Sequence, residues 1–247
     1  MKHISLLLCL ALLTACQSKP DGSGATNDST AVSDDDTLAT TLSTEGPQTS
    51  PDNFVLIPGE QAGVVRANTS EAQLIQILGA ENVTKADTVW GAEGDFYIGT
   101  TLFKGTPDQA QIIWKDEQHT RPEMVLIEAD AAEIGKAVPT ASASRWATPE
   151  GLRIGSTLKE VEKLNGRAFS LYGFDWDYGG NVSSWQTGKL QDPDGKVYLN
   201  VQFAAGALSP AQEQSYQTVS GDGEFSSANP VMQRLNPTVQ SISLSFR

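Results

Sequence analysis

The chain is poor in the residues on which much enzyme chemistry depends. Its 247 residues include two cysteines, Cys9 and Cys16, and two histidines, His3 and His119. A zinc site of the common kind needs clustered cysteine and histidine, and a disulfide framework needs paired cysteines. This scarcity argues against both features and leaves carboxylates as the main candidates for catalytic or metal-binding groups.

Basic charge is also scarce. Lysine and arginine number 17 against 30 aspartate and glutamate residues, which gives a formal net charge of -13. Proteins that bind nucleic acid need a basic surface to neutralise phosphates, and electrostatic binding to anionic lipid needs one too. The composition argues against both partners, and we interpret the acidity first as a source of solubility.

The N-terminus carries a short apolar run. It extends from Ile4 to Leu13, follows the basic Lys2, and is too short to span a bilayer as a mature helix. Ala15 supplies the small residue that precedes the cut in a secretory signal. Residues 1–15 are therefore predicted to be a signal peptide.

The residues Leu13-Thr14-Ala15-Cys16 resemble the lipobox of bacterial lipoproteins. The resemblance implies cleavage before Cys16, a diacylglycerol thioether on its sulfur, and an amine acylated with a fatty acid such as palmitate. Cys16 would then be the only cysteine of the mature chain, which excludes an internal disulfide, cysteine catalysis and a zinc site of histidine and cysteine. The alternative is a signal peptide followed by an incidental cysteine.

Residues 16–50 are predicted to be the lipidated cysteine and a disordered tether. The segment is rich in Ser, Thr, Asp and Gly, so it cannot bury enough apolar surface to offset the entropy of ordering. A flexible chain of about 34 residues spans roughly 30–35 Å. Gln17 after the cysteine, rather than aspartate, is typical of an outer-membrane destination in Gram-negative lipoproteins. Whether the protein faces the periplasm or the cell surface is left open.

The folded part is predicted to be α+β, with two tandem copies of a helix packed on a three- to four-stranded antiparallel sheet. The copies span residues 51–135 and 150–247, joined by a linker at 136–149. Residues 205–236 form an insertion in the second copy. This division depends on landmarks that recur along the chain.

The landmarks recur in the same order in both copies. The helix segments Asn68–Gly79 and Gly155–Gly166 align without a gap, and each has a polar start, apolar residues at helical spacing and a terminal glycine. The segments Trp90–Phe96 and Tyr172–Tyr178 both follow the order aromatic, Gly, any, acid, any, Asp, aromatic. A Pro-Asp turn then precedes a strand in each copy. Landmarks repeated at a spacing of about 82–87 residues indicate an internal duplication.

The segment Gly151–Gly166 has the sequence Gly-Leu-Arg-Ile-Gly-Ser-Thr-Leu-Lys-Glu-Val-Glu-Lys-Leu-Asn-Gly. It resembles the helix-opening signature of the BamE/SmpA family of outer-membrane assembly proteins and of the beta-lactamase inhibitory protein fold, which is itself a tandem repeat. The first copy departs from the signature at Asn68, where glycine is expected. As a whole, the chain resembles lipoproteins of Bacteroidota-type bacteria. These resemblances imply an envelope module that binds other proteins, and they bring no catalytic residues.

Asp175 and Asp177 are the pair of carboxylates that most suggests a functional site. At alternate positions of a strand they would share one face, with Phe174, Trp176 and Tyr178 on the other. Such a pair could serve as acid and base in a glycan hydrolase, or contribute to an oxygen-only calcium site. The structural alternative is that the aromatics cover the core and the acids bond turn amides. The motif recurs in the first copy at Glu93 and Asp95, which favours the structural alternative because a catalytic site is seldom duplicated.

Two tryptophans and a histidine complete the candidates. Trp146 and Trp185 lie in polar surroundings, where an exposed ring would be an interface anchor and a partly buried ring would cover the sheet. His119 lies in a polar loop and is interpreted as an exposed loop residue. A Ser-His-Asp triad around it would lack any nucleophile-elbow motif.

The sequence thus predicts a lipid-anchored cell-envelope protein that binds another protein or a surface component. It is expected to be no enzyme and to use neither a cofactor nor a metal. The candidate contact residues are Asp175, Trp176, Asp177 and Trp185. The alternatives are a carboxylate-based glycan hydrolase and a calcium-binding module, both built on Asp175 and Asp177. Function is expected where the copies differ. These places are Trp176 against Gly94, Gly179-Gly180-Asn181 against Tyr97-Ile98-Gly99, and the inserted segment Leu208–Leu235.

Overall fold

The computed structural model describes residues 50–130 and 144–247. The predicted signal peptide, the lipidated Cys16 and the tether up to residue 49 lie outside these ranges. No helix in the described part of the chain is long and apolar enough to cross a membrane.

The described residues form an α+β fold made mostly of antiparallel sheet, which confirms the predicted class. The helices within these ranges are α1 (Glu71–Leu78), α2 (Leu158–Asn165), α3 (Pro210–Tyr216) and α4 (Pro230–Leu235). The strands of the first half are β1 (Leu56–Ile57), β2 (Gln61–Ala62), β3 (Val65–Arg66), β4 (Val83–Trp90), β5 (Phe96–Leu102), β6 (Ala110–Trp114) and β7 (Pro122–Glu128). Those of the second half are β8 (Ser170–Tyr172), β9 (Val182–Ser184), β10 (Leu199–Ala204), β11 (Glu224–Ser226) and β12 (Thr238–Ser245).

The strands form one large sheet and two small ones. The large sheet has six strands in the order β10-β12-β7-β6-β5-β4, and the small sheets have the orders β1-β2-β3 and β11-β8-β9. Strands β7 and β12 are antiparallel neighbours, with Val125 opposite Leu244. An isolated bridge between Asn181 and Gln202 connects the β8–β9 hairpin to β10. The two halves of the chain therefore contribute to the same sheet.

The first two helices begin with the same local chemistry. The Ser70 hydroxyl accepts a hydrogen bond from the Gln73 amide, and the Gln73 side chain accepts one from the Ser70 amide. Thr157 and Glu160 form the equivalent capping box on α2. Each box satisfies amides that the first helical turn leaves without partners. The predicted helix starts are confirmed, with Thr157 as the cap of α2.

One hydrophobic core joins the helices to the large sheet. Alternate residues of the central strands point into it, so that Val125 and Ile127 on β7 and Ile242 on β12 are fully buried. Leu74 of α1 and Leu158 of α2 belong to the same cluster. The alternation follows from the two-residue repeat of a strand that has one buried face.

The end of the predicted linker belongs to this core. Trp146 is 1% exposed, and its indole Nε1 donates a hydrogen bond to the Asp108 carbonyl oxygen at 2.9 Å. The Ala147 amide donates to the Phe54 carbonyl oxygen at 3.1 Å. Residues 144–148 therefore pack into the fold, while residues 131–143 lie outside the described ranges.

The predicted insertion contributes α3, β11 and α4. Strand β11 pairs with β8, with Phe225 opposite Leu171. Pro210 opens α3 and Pro230 opens α4, a position that proline favours because its fixed φ suits the first helical turn. The insertion is thereby attached to the segment that leads into Asp175.

Candidate interaction surface

Residues 175–180 form a bend and a turn, so the strand predicted from the alternating acids is wrong. Asp175 has a positive φ of 65°, in the left-handed region. Gly180 has a φ of 76°, and a Cβ at this position would lie 2.0 Å from the Phe203 carbonyl oxygen. The chain turns back sharply here against β10. The two-face alternation of a strand therefore does not apply to Asp175 and Asp177.

Asp175 connects this turn by hydrogen bonds to residues 216–220 of the predicted insertion. Its carboxylate accepts hydrogen bonds from the Tyr216 hydroxyl at 2.8 Å and from Ser220 Oγ at 3.0 Å. The ring of the buried Phe174 stacks on Tyr216, with centroids 5.2 Å apart. Burial and the bond to Asp175 raise the pKa of Tyr216. Asp175 thus has a structural role, although its partners are hydroxyls rather than the turn amides that we expected.

The next three residues of the turn lead from the core towards solvent. Trp176 is half-buried, and its indole Nε1 donates to the Gly173 carbonyl oxygen at 2.9 Å. Its ring lies edge-on to Tyr178, with centroids 5.4 Å apart. Tyr178 is 42% exposed, and Asp177 is exposed as well.

The β4–β5 hairpin carries a second group of exposed rings. Trp90 and Phe96 face each other across the strands, with centroids 6.0 Å apart. Trp90 is 66% exposed and Phe96 is 60% exposed, and Tyr97 and Ile98 are also exposed. The Gly91 amide closes the turn by donating to the Asp95 carbonyl oxygen at 2.8 Å. Sequence reasoning named Tyr97 and Ile98 as a place where the copies differ, but it missed Trp90 and Phe96 as exposed rings, which an aromatic run beside a turn could have indicated.

The ends of the two hairpins meet. The Tyr178 hydroxyl donates a hydrogen bond to Glu93 Oε1 over 3.3 Å. The carboxylates of Glu93, Asp177 and Asp95 raise the pKa of Tyr178, with Glu93 contributing most, because they disfavour a tyrosinate anion beside them. We call the combined patch the hairpin surface. It consists of Trp90, Glu93, Asp95, Phe96, Tyr97, Ile98, Trp176, Asp177 and Tyr178.

Trp185 does not belong to the hairpin surface. It is 4% exposed and packs on Phe169, with ring centroids 5.3 Å apart. Its carbonyl oxygen accepts a hydrogen bond from the Asn165 side chain at 3.0 Å. Trp185 and Trp146 are both core residues, so their interpretation as exposed interface anchors is wrong.

His119 is held in place rather than free in a loop. Its ring stacks on Trp114, with centroids 5.1 Å apart and planes 9° apart. Its Nδ1 lies 3.2 Å from Glu71 Oε1, and that oxygen also accepts a hydrogen bond from Thr100 Oγ1 at 2.5 Å. The interpretation as an exposed loop residue is therefore wrong. These contacts fasten the β6–β7 loop to the start of α1.

The hairpin surface has the chemistry of a contact surface. In residues 50–130 and 144–247, no three side chains of His, Cys, Asp or Glu form a group that could hold a metal ion. Comparison of the chain with protein-family models, curated proteins and solved structures finds no match in any of the three. The features that remain are exposed rings and carboxylates, which can pack against a partner and accept hydrogen bonds.

Proposed function

We propose that this protein is a lipid-anchored component of the cell envelope, most simply at the outer membrane, and that it binds another protein or a surface component. In this proposal it is not an enzyme, and the hairpin surface is its contact site. The observation that carries the binding function is the run of exposed large side chains on the β4–β5 hairpin, beside Tyr178.

Exposed rings in one patch are a physical signal of binding. Trp90 and Phe96 leave most of their surface in water, at a cost that burial against a partner would remove. Tryptophan and tyrosine are also the side chains that contribute most often to binding energy at protein interfaces. Single exposed apolar residues are common, but this hairpin exposes four large side chains, and two of them, Trp90 and Phe96, contact each other across the strands.

Binding is favoured over glycan hydrolysis by the environment of Asp175. Its two carboxylate oxygens accept hydrogen bonds from Tyr216 and Ser220, which ties the group to the insertion. An acid and base pair needs two carboxylates that converge on one substrate bond. Asp177 lies two residues further along the turn, and no hydrogen bond or shared partner connects it with Asp175 among the described contacts.

The proposal includes a duplication of the folded unit. Helices α1 and α2 each have eight residues and a capping box. Glu93 and Asp175, which occupy the same place in the repeated aromatic-acid motif, both have a positive φ, of 59° and 65°. The last strands of the two proposed copies, β7 and β12, are also neighbours in the large sheet. The meeting of Glu93 and Tyr178 would then join the same corner of the two copies.

The anchor is tested by metabolic labelling of bacterial cells that express the full chain with an alkyne analogue of palmitate. We expect the label on the wild-type chain and none on Cys16→Ser, which should move from the membrane fraction to the soluble fraction. Cys9→Ser is the matched control, because the proposal places Cys9 in the removed signal. Equal labelling of wild-type and Cys16→Ser chains would contradict the anchor.

The contact site is tested by placing a photo-crosslinking amino acid at Trp90 in the anchored full chain. Val197 is a suitable control position because it is an exposed apolar residue at 69% exposure, outside the hairpin surface. Irradiation of intact cells should give a discrete adduct of constant mass from position 90 and none from position 197. Adducts of equal yield from both positions, or none from position 90 at native expression, would contradict the proposed site.

A further inference from the structure

The exposed rings of the hairpin surface are accompanied by carboxylates that have no basic partner. Within the described ranges, none of Glu93, Asp95 and Asp177 forms an ion pair, and all three are exposed. Some other acids of the described residues do have such partners, among them Asp87 with Lys104, Asp108 with Arg145, and Asp116 with Arg121.

The three carboxylates lie on two turns that meet at the Tyr178 hydroxyl. Glu93 accepts a hydrogen bond from this hydroxyl at 3.3 Å, Asp95 lies two residues after Glu93, and Asp177 directly precedes Tyr178. All three carboxylates also act electrostatically on Tyr178. Like charges in one region repel, and an arriving cation relieves that repulsion.

The rings around these acids can also accept a cation. The faces of tryptophan and tyrosine attract ammonium and guanidinium groups. Trp90 and Phe96 are inclined by 60° to each other, and Trp176 and Tyr178 by 63°. Because the rings of each pair are inclined, they present separate faces that can contact separate side chains.

The hydrogen-bonding groups of the surface point to the same class of partner. Ionised carboxylates only accept hydrogen bonds, whereas lysine and arginine side chains only donate them. A sugar hydroxyl both donates and accepts, so a surface of acceptors satisfies it only in part. Arginine fits best, because its planar group can stack on a ring and bind a carboxylate at the same time.

We infer that the hairpin surface binds a basic segment of a partner protein, with arginine or lysine side chains seated between the exposed rings of Trp90 and Phe96 and the carboxylates of Glu93, Asp95 and Asp177. The inference rests on the proposed binding function and adds the chemistry of the partner. The net charge of -13 would speed the approach of such a segment by long-range attraction.

The test measures binding of fluorescent peptides to the purified full-length chain by anisotropy. The probe peptide alternates arginine and serine, and a peptide of the same length with citrulline in place of arginine is its uncharged match. We expect the arginine peptide to bind at least about tenfold more tightly than the citrulline peptide at low salt. Its affinity should fall when sodium chloride rises from about 50 to about 500 mM, because salt screens exposed charges.

Two sets of variants separate the hairpin surface from the overall acidity. The combined change Glu93→Gln, Asp95→Asn and Asp177→Asn should weaken arginine-peptide binding by about tenfold or more. The control change Glu60→Gln, Glu81→Gln and Glu150→Gln removes the same number of charges from exposed glutamates outside the surface, and should weaken it by less than about twofold. Trp90→Ala should weaken binding more than Val197→Ala. Circular dichroism of each variant checks that it is folded.

The outcomes distinguish failure of the inference from failure of the proposed function. Equal losses in the two charge-matched sets would overturn the inference, since they would mean that binding follows net charge alone. Tighter binding of a chitin oligosaccharide than of the arginine peptide would also overturn it, as would self-association through the surface in sedimentation. If crosslinking at position 90 succeeds in cells and the adduct maps to a partner segment without lysine or arginine, the binding function stands and the basic partner is wrong.

Discussion

Tyr178 and Glu93 lie 85 positions apart in the chain, and the tyrosine hydroxyl donates a hydrogen bond to the glutamate carboxylate over 3.3 Å. Each residue belongs to a turn at the end of a two-stranded hairpin, one in each half of the chain. Through this contact, exposed rings from two separate segments become one surface. The hairpin surface therefore depends on the contact between the β4–β5 turn and the turn at residues 175–180.

The first prediction concerns the ionisation of Tyr178. Glu93→Gln should lower the pKa of Tyr178 towards its ordinary value of 10.0, because the nearest negative charge is removed. Ultraviolet titration of the tyrosinate form gives the pKa, and subtracting the titration of Tyr178→Phe isolates this residue. Glu60→Gln serves as the control and should leave the difference curve unchanged. An unchanged pKa in Glu93→Gln would show that the two side chains do not meet in solution.

The second prediction contrasts two tryptophans. Trp185→Ala should lower the free energy of unfolding by about 3–5 kcal/mol, because the ring is buried against Phe169 and its loss leaves a cavity. Trp90→Ala should change it by less than about 0.5 kcal/mol, since exposed substitutions have small effects. Urea unfolding followed by circular dichroism measures both. A cost for Trp90→Ala as large as that for Trp185→Ala would place Trp90 in the core and contradict the hairpin surface.

The third prediction separates the two aspartates of the turn. Asp175→Asn should destabilise the fold by about 1 kcal/mol, because its oxygens accept from Tyr216 and Ser220 and an amide keeps only part of that bonding. Asp177→Asn should be neutral within about 0.5 kcal/mol, since the side chain is exposed. The matched pair is measured by thermal and urea unfolding. Equal effects of the two changes would exclude the special role of Asp175.

The fourth prediction concerns alkaline pH, at which ionisation of Tyr216 should lower the stability of the fold. Its pKa is raised in the folded state by burial and by Asp175, so the neutral phenol is favoured there. The resulting stability is fully present below the ordinary tyrosine value of 10.0 and is lost as the pH rises above it. Tyr216→Phe should therefore lose less stability than the wild type between neutral and strongly alkaline pH in urea titrations. An equal loss of stability in the wild type and in Tyr216→Phe would contradict the link between Tyr216 ionisation and folding stability.

The fifth prediction concerns acid pH. Asp87 accepts hydrogen bonds from Lys104 Nζ at 2.7 Å and Thr101 Oγ1 at 2.6 Å, and these contacts hold its pKa below 3.8. A depressed carboxyl pKa stabilises the folded state above the ordinary value, and this contribution is lost as pH falls through the folded value. The wild type should exceed Asp87→Asn by about 1 kcal/mol near neutral pH. The difference should shrink in strong acid, and a difference that stays constant from neutral to strongly acid pH would contradict the prediction.

Predictions from local patterns were largely confirmed, because capping and helical periodicity act within a few residues. The start of α2 at Thr157 and the openings of α3 at Pro210 and α4 at Pro230 follow from side chains next to the backbone groups that they satisfy. The Asp175–Tyr178 segment could not be predicted in this way. Its alternation is typical of a strand, but the segment forms a turn whose partners are distant in sequence: the Phe203 amide donates to the Gly180 carbonyl oxygen and Ser220 donates to Asp175.

The tryptophans show the same limit for burial. Trp146 and Trp185 have polar sequence neighbours, so local composition could not tell an anchor from a core residue. Their partners, Asp108 and Phe169, reach them through the tertiary fold. Trp90, by contrast, is exposed, because its hairpin lies at the edge of the large sheet, where β4 is the last strand.

The sequence by itself determined the α+β class, the helix boundaries and the acidic character of the chain, because these depend on composition and on interactions over a few residues. It also provided the lipobox on which the proposed anchor depends. Only the tertiary structure decided which aromatic residues are exposed and which acids lack a basic partner. Burial and charge pairing are set by residues far apart in the chain, and the contact between Glu93 and Tyr178 exists only once both hairpins have folded.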